Sequence, residues 1–130
     1  MTTNWIALYG SLMQGLGAMD ELELDTRLEF KGPAVIRGDL FDLGSFPGLR
    51  HGEGRVRAEL YAILEADALI QLDQFEGVIA GCPAESLYLR ERIQLIEPSG
   101  TEAWVYLYNR SPSEDKRIVG GDWRAYLKER

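Results

Sequence analysis

Within this 130-residue chain, the carboxylate of Glu76 has the surroundings best suited to moving protons. It ends the stretch Leu72-Asp73-Gln74-Phe75-Glu76, just ahead of Gly77. A carboxylate beside Phe75 and at the negative end of a helix is favoured neutral by both desolvation and the helix dipole. Either effect raises its pKa toward the range useful for general acid/base work at neutral pH. The plainer alternative is a surface glutamate closing an amphipathic helix, and composition alone makes that the commoner case.

A second candidate is the segment Gly10-Ser11-Leu12-Met13-Gln14-Gly15, which follows an apolar run. Its glycine spacing is that of a phosphate-binding loop, but the Lys-Ser/Thr pair that would reach phosphates and magnesium is missing, as is a dinucleotide fingerprint. What survives is an anion nest: successive backbone N–H groups in a tight turn, suited to a carboxylate. A simple strand-ending turn is the alternative.

Other chemistries are poorly supplied. One histidine (His51) and one cysteine (Cys82) cannot furnish the clustered ligands of a zinc site. Asp20, Glu21, Glu23 and Asp25 lack the spacing of a magnesium site and read as a solvated helix or turn face. A nucleophilic triad would need His51 as its base, yet His51 lies among Gly48, Gly52 and Gly54, in what reads as an exposed loop. No partner for Cys82 as a nucleophile is evident. No metal and no cofactor are therefore expected.

The elements that position these groups are mostly strands. Trp5 to Tyr9 is an apolar run too short for a helix, ended by Gly10-Ser11. Ala34 to Leu43 reads as a strand with Pro33 ahead of it, where a missing donor is tolerated. From Arg55 to Leu64 the pattern alternates: Val56, Ala58, Leu60 and Ala62 face the core, and Arg55, Arg57 and Glu59 face solvent. A helix is expected from Asp67, as N-cap, to Glu76 in its last turn, with Leu69, Leu72, Phe75 and Ile70 as its apolar stripe and Gly77 as its stop. Tyr88 to Ile96 and Glu102 to Tyr108 form a hairpin about Pro98-Ser99-Gly100-Thr101, with Trp104, Tyr106 and Tyr108 on one face of its second arm. After a polar loop from Ser111 to Arg117, Asp122 caps a terminal helix from Trp123 to about Lys128. The expected class is α+β: a small mixed β-barrel with few helices, the Asp67 helix packed against it.

Size and composition fit one domain over residues 1–130, with enough apolar content for its own core. A net charge of −7 argues against a nucleic-acid partner, which needs a basic face. No apolar run is long enough for a membrane helix. No signal-peptide pattern opens the chain, so a cytoplasmic location is expected. Oligomeric state is not legible, although the exposed edge of the Glu102 to Tyr108 hairpin is one surface for contact.

Taken jointly and in order, Tyr9-Gly10-Ser11-Leu12 after a strand, Leu72-Asp73-Gln74-Phe75-Glu76-Gly77, Tyr88-Leu89-Arg90 and Gly121-Asp122-Trp123 resemble the γ-glutamylcyclotransferase-like family, which includes γ-glutamylamine cyclotransferases and AIG2-like proteins. The resemblance implies a compact mixed α/β barrel whose substrate is a small γ-glutamyl molecule. It implies that the loop of Tyr9, Gly10, Ser11 and Leu12 holds the γ-glutamyl part, that Glu76 is the general acid/base, and that Tyr88 and Tyr106 line the cavity. The implied reaction is release of 5-oxoproline from a γ-glutamyl amine or γ-glutamyl amino acid. Phe46-Pro47-Gly48 and the segment Gly77 to Leu87 are expected to border or cover the pocket. The alternative is a non-catalytic binder of a small acidic metabolite. Glu76 speaks for the enzyme, because a pocket built only to hold a carboxylate gains nothing from a second negative charge.

Overall fold

The computed structural model describes residues 4–130. Its elements run β1 (Trp5–Leu8), α1 (Ala18–Glu21), β2 (Leu28–Asp42), β3 (Pro47–Ile63), α2 (Asp67–Phe75), β4 (Tyr88–Gln94), β5 (Glu102–Tyr108) and α3 (Trp123–Glu129). The strands form one five-stranded sheet in the order β2-β3-β1-β5-β4. β1 lies antiparallel to β3 and parallel to β5, which makes the sheet mixed. The α+β class holds, but the sheet is open rather than a closed barrel. A single isolated bridge brings the chain beyond β4 back to the opposite edge: Val35 N–H donates to the Glu97 carbonyl at 2.8 Å and Ile96 N–H to the Val35 carbonyl at 2.9 Å.

The dominant local feature is a β2–β3 hairpin much longer than the sequence pattern implies. Its pairing runs from Leu28↔Ile63 to Asp42↔Pro47, with register shifts at Phe30/Gly32 and Arg37/Asp39. Pro33 lies inside β2, not ahead of it, and is tolerated because β2 is an edge strand with donors to spare. The expected glycine-rich loop is likewise strand. A Cβ on Gly52 or Gly54 would run into the Asp39 carboxylate, which lies across β3, accepts the Gly54 N–H at 3.2 Å and binds Arg117 at 2.6 Å. These glycines make room for a side chain on the neighbouring strand. His51 therefore sits on β3, exposed and 3.4 Å from Glu91, rather than in a loop.

Both faces of the sheet are covered, which corrects the simple alternation expected for β3. Val56, Ala58 and Leu60 are buried on one face, but Glu59 and Tyr61 are buried on the other. One core cluster gathers Ala7, Ile36, Leu49, Val105 and Trp123, and the second gathers Ile6, Leu8, Leu28, Leu72 and Tyr106. Trp104, Tyr106 and Tyr108 all face the second cluster. β5 is an interior strand, so the hairpin's free edge belongs to β4.

Helix α2 packs through Ala68 and Leu72, both fully buried, whereas Ile70 is 62% exposed and Phe75 43%. The apolar stripe is thus narrower than predicted, with burial of Leu72 contributing roughly 2 kcal/mol. Asp67 is the first helical residue and not the N-cap; Ala66 holds that place without a side-chain bond, and Asp67 pairs with Arg27 at 2.9 Å. At the C-terminus, the Asp122 side chain accepts the Ala125 N–H at 3.1 Å and starts α3 as expected. The preceding polar loop contains a short 3-10 turn over Glu114–Lys116. Among the described residues, no helix is long and apolar enough to cross a membrane.

Gly121 ties the last segment to the sheet. Its carbonyl accepts the Arg57 N–H at 2.8 Å, its φ is +66°, and an added Cβ would fall 2.1 Å from the Arg55 carbonyl oxygen. Gly121→Ala should cost roughly 2–4 kcal/mol in denaturant unfolding. Native stability in that variant would show that this segment does not lie against β3 in this way.

Candidate active site

Four parts of the chain converge on one cavity of about 250 Å³: the end of β1 with its following turn, the β2–β3 turn, the end of α2, and the paired strands β4 and β5. Tyr9, Gly10, Ser11, Leu12, Glu76, Tyr88 and Tyr106 all line it. So do Ser45, Phe46, Pro47, Phe75 and Leu87. His51 and Cys82 do not reach it, and Cys82 is exposed. Of the segment Gly77 to Leu87, only Leu87 borders the cavity. The rest folds outward around Ser86, whose hydroxyl accepts the Ile79 N–H at 2.7 Å and donates to the Cys82 carbonyl at 3.1 Å.

The position of Glu76 follows from how α2 ends. Glu76 is the C-cap residue rather than a member of the last turn. Gly77 adopts φ +73°, its N–H reaches the Gln74 carbonyl at 3.2 Å, and the Val78 N–H reaches the Asp73 carbonyl at 2.9 Å. This paired closure satisfies the last carbonyls and fixes the backbone that carries Glu76. Burial, followed by the nearby Asp73 carboxylate, raises the Glu76 pKa from 4.5 to about 7. The helix end adds its own negative potential. Among the described residues, no hydrogen bond to the Glu76 carboxylate is found.

Asp73, one turn earlier, is treated in the opposite way. Arg90 grips it with two bonds of 2.8 and 3.1 Å, and the Tyr106 hydroxyl donates to it at 2.7 Å. Arg90 also lies 4.2 Å over the Trp104 ring. Two carboxylates one turn apart thus differ: Asp73 is held by Arg90 and Tyr106, and Glu76 has its pKa raised.

The tyrosines are walls whose hydroxyls are already engaged. Tyr9 donates to the Tyr106 carbonyl and accepts the Leu49 N–H at 3.3 Å. Tyr88 donates to the Pro47 carbonyl at 2.6 Å. Burial is the first cause that raises all three pKa values and keeps them neutral.

The Gly10–Leu12 segment is a turn closed by the Met13 N–H on the Gly10 carbonyl at 2.9 Å. The N–H groups of Gly10, Ser11 and Leu12 make none of the hydrogen bonds found among the described residues. A Cβ at Gly10 would come within 3.1 Å of the Pro47 ring, so glycine lets the two turns approach closely. Downstream, Gln14 is held on both sides: its N–H donates to Glu59 at 2.7 Å and its carbonyl accepts from Arg124 at 2.6 Å.

Sequence reasoning missed the parts played by Asp73, Arg90, Glu59 and Arg124. Asp73 and Arg90 stood within the recognised motifs, and Glu59 was a charge set within a strand of apolar neighbours. Nothing near Arg124 marked it. Among the described residues, no group of three or more His, Cys, Asp or Glu could hold a metal ion.

Comparison with known proteins identifies the family and the fold. The family model described as "Gamma-glutamyl cyclotransferase, AIG2-like" matches residues 6–125. The gamma-glutamylcyclotransferase family protein YtfP of Escherichia coli K12 is 34% identical over 119 residues, covering 91% of this chain and 94% of that protein. A Vibrio cholerae relative is 39% identical over 84 residues, 65% of this chain, and the match spans 64% of that relative's length. Among solved structures, an AIG2-like protein from mouse superposes with a TM-score of 0.70 at 22% identity, covering 95% of this chain and 89% of that one.

The raised pKa of Glu76 has a thermodynamic sign. The folded state holds this proton more tightly than the unfolded chain, so stability falls as pH climbs from 4.5 through about 7, by up to roughly 3 kcal/mol. Glu76→Gln removes that loss. Its melting temperature should exceed the native value near about pH 8 and converge on it near about pH 5. An equal difference at both would contradict the raised pKa of Glu76.

Proposed function

We propose a reaction from one premise: the chain belongs to the gamma-glutamyl cyclotransferase, AIG2-like family. The reaction is cyclisation of a γ-glutamyl amine or γ-glutamyl amino acid, releasing 5-oxoproline and the free amine. The observation that carries it is the meeting, in one cavity, of an unpartnered carboxyl poised near neutrality with a turn of unused N–H groups.

The γ-glutamyl substrate brings an α-ammonium, an α-carboxylate and a γ-amide carbonyl. The α-ammonium first gives one proton to solvent. The resulting amine attacks the γ-carbonyl carbon and forms the ring C–N bond, while Glu76 takes the second proton that this nitrogen must lose. The amide C–N bond then breaks, and Glu76 returns the proton to the departing nitrogen. One carboxyl serves both steps when both nitrogens lie within hydrogen-bond reach. Because the attack is intramolecular, binding contributes chiefly by holding the substrate chain folded for ring closure. The N–H groups of Gly10, Ser11 and Leu12 suit the α-carboxylate or the oxyanion that develops on the γ-carbonyl. The buried rings of Tyr9, Tyr88 and Tyr106 exclude water around the charge shift.

Incubation with γ-glutamyl dipeptides and γ-glutamyl amines, with 5-oxoproline read by mass spectrometry, tests the reaction. The native protein should turn over at least one of them, and Glu76→Gln should lose activity by at least about a hundredfold. Full activity in the variant would sink Glu76 as the acid/base, and stabilisation by a panel member without turnover would favour a binder. In the native protein kcat/KM should climb as pH rises through about 7, because the ionised form of Glu76 accepts the proton of the attacking nitrogen. A profile flat across that range would contradict the assignment.

A further inference from the structure

The lining of the cavity is unequal in charge. Glu76 is its one ionisable carboxylate, and among the described residues no Lys, Arg or His borders it. The nearby arginines are committed elsewhere, Arg90 to Asp73 and the Trp104 ring, and Arg50 to the Tyr108 carbonyl at 3.1 Å. The one anion-binding feature, the Gly10–Leu12 turn, is taken up by the substrate's own α-carboxylate or oxyanion. Phe46 and Phe75 are nonetheless 37% and 43% exposed, and Leu87 is half-buried beside them. Phe46 lies 6.3 Å from Tyr88, and Tyr88 5.6 Å from Tyr108, so this side is a continuous aromatic wall.

We propose that Phe46, Phe75 and Leu87 form a subsite for the leaving amine, and that it selects an uncharged apolar amine, alkyl or aryl, over an amino acid. The proposal rests on the cyclotransferase reading. A leaving amino acid would bring a second carboxylate beside Glu76, in a protein of net charge −7, with no counter-charge in the lining. An apolar body instead covers aromatic surface that water now wets.

The test compares kcat/KM for γ-glutamyl benzylamide and γ-glutamyl butylamide with that for γ-glutamylalanine and ε-(γ-glutamyl)lysine. The amides should be favoured by at least about tenfold, and Phe46→Ala should shrink that ratio severalfold. Preference for the amino-acid conjugates, or a ratio indifferent to Phe46→Ala, overturns the subsite while leaving the cyclotransferase standing. No 5-oxoproline from any of the four overturns both.

A separate observation concerns a buried charge that the reaction does not use. Glu59 sits opposite Leu8 in the β1–β3 register and is buried. Besides the Gln14 N–H it accepts the Tyr61 hydroxyl at 2.9 Å and Arg124 at 3.1 Å, while Arg124 also bonds the Gln14 carbonyl. The other end of the same turn is pinned by the Tyr9 hydroxyl. We infer that Glu59 and Arg124 are positioning residues, which hold the N–H groups of Gly10, Ser11 and Leu12 in a fixed array from the far side of the loop.

Arg124→Ala should still fold, since Glu59 keeps the Gln14 N–H and the Tyr61 hydroxyl. The melting temperature should be lowered, so activity is measured well below it. Its kcat/KM, measured with whichever γ-glutamyl compound the native protein turns over, should fall about tenfold. The loss should sit in kcat if the turn meets the oxyanion and in KM if it meets the α-carboxylate, and Arg124→Lys should recover part of it. A kcat/KM within twofold of native, or a loss that only tracks falling thermal stability, overturns the role.

Discussion

The Arg90–Asp73 pair ties the end of α2, which carries Glu76, to strands β4 and β5. Asp73 is neutralised by a two-bond guanidinium contact and a tyrosine hydroxyl, and Arg90 is itself seated on Trp104. With the first acid satisfied in this way, Glu76 remains the carboxyl whose protonation responds to burial and to its neighbour's charge. Were Arg90 to turn toward Glu76 instead, its positive charge would lower the pKa that burial raises. The pairing connects α2 to β4 and β5, so the electrostatics of the site and the docking of the helix on the sheet depend on the same contact.

The rest of the site is built from backbone as much as from side chains. Three tyrosines place their hydroxyls on carbonyls or on Asp73 and leave their rings as walls. Just beyond the turn after β1, the Gln14 N–H and carbonyl are held by Glu59 and Arg124. The tyrosine walls and the backbone at Gln14 are fixed by such bonds, the kind of stiffness that electrostatic preorganisation requires.

What the sequence makes legible is what is local. The Gly77 stop, the Asp122 cap and the strand ending at Gly10 depend on residues close in the chain, and these features stand as read apart from shifts of a residue or so. The β4 and β5 arms are similarly clear. The long β2–β3 hairpin is hidden because its glycines look like breaks until Asp39, on the other strand, is seen to need their space. Glu59 reads as solvent-facing because alternation reports one covered face, and the second covering comes from distant segments. The partners of Asp73 and Glu59 are invisible for the same reason: Arg90 lies 17 residues from the first, and Arg124 lies 65 from the second.

The parallel pairing of β1 with β5 has a consequence for the order in which this protein comes into being. Ile6 pairs with Trp104, and the Tyr9 hydroxyl reaches a carbonyl 97 residues away. A chain emerging from the ribosome can close the β2–β3 hairpin and α2 early and add β1 beside β3, but β1 gains its second neighbour only when β5 has been made. Closures across such distances are slow, because loop entropy is lost before contacts compensate it. The cavity is therefore among the last features to assemble, and a nascent or prematurely ended chain would carry Glu76 without the pocket that tunes it.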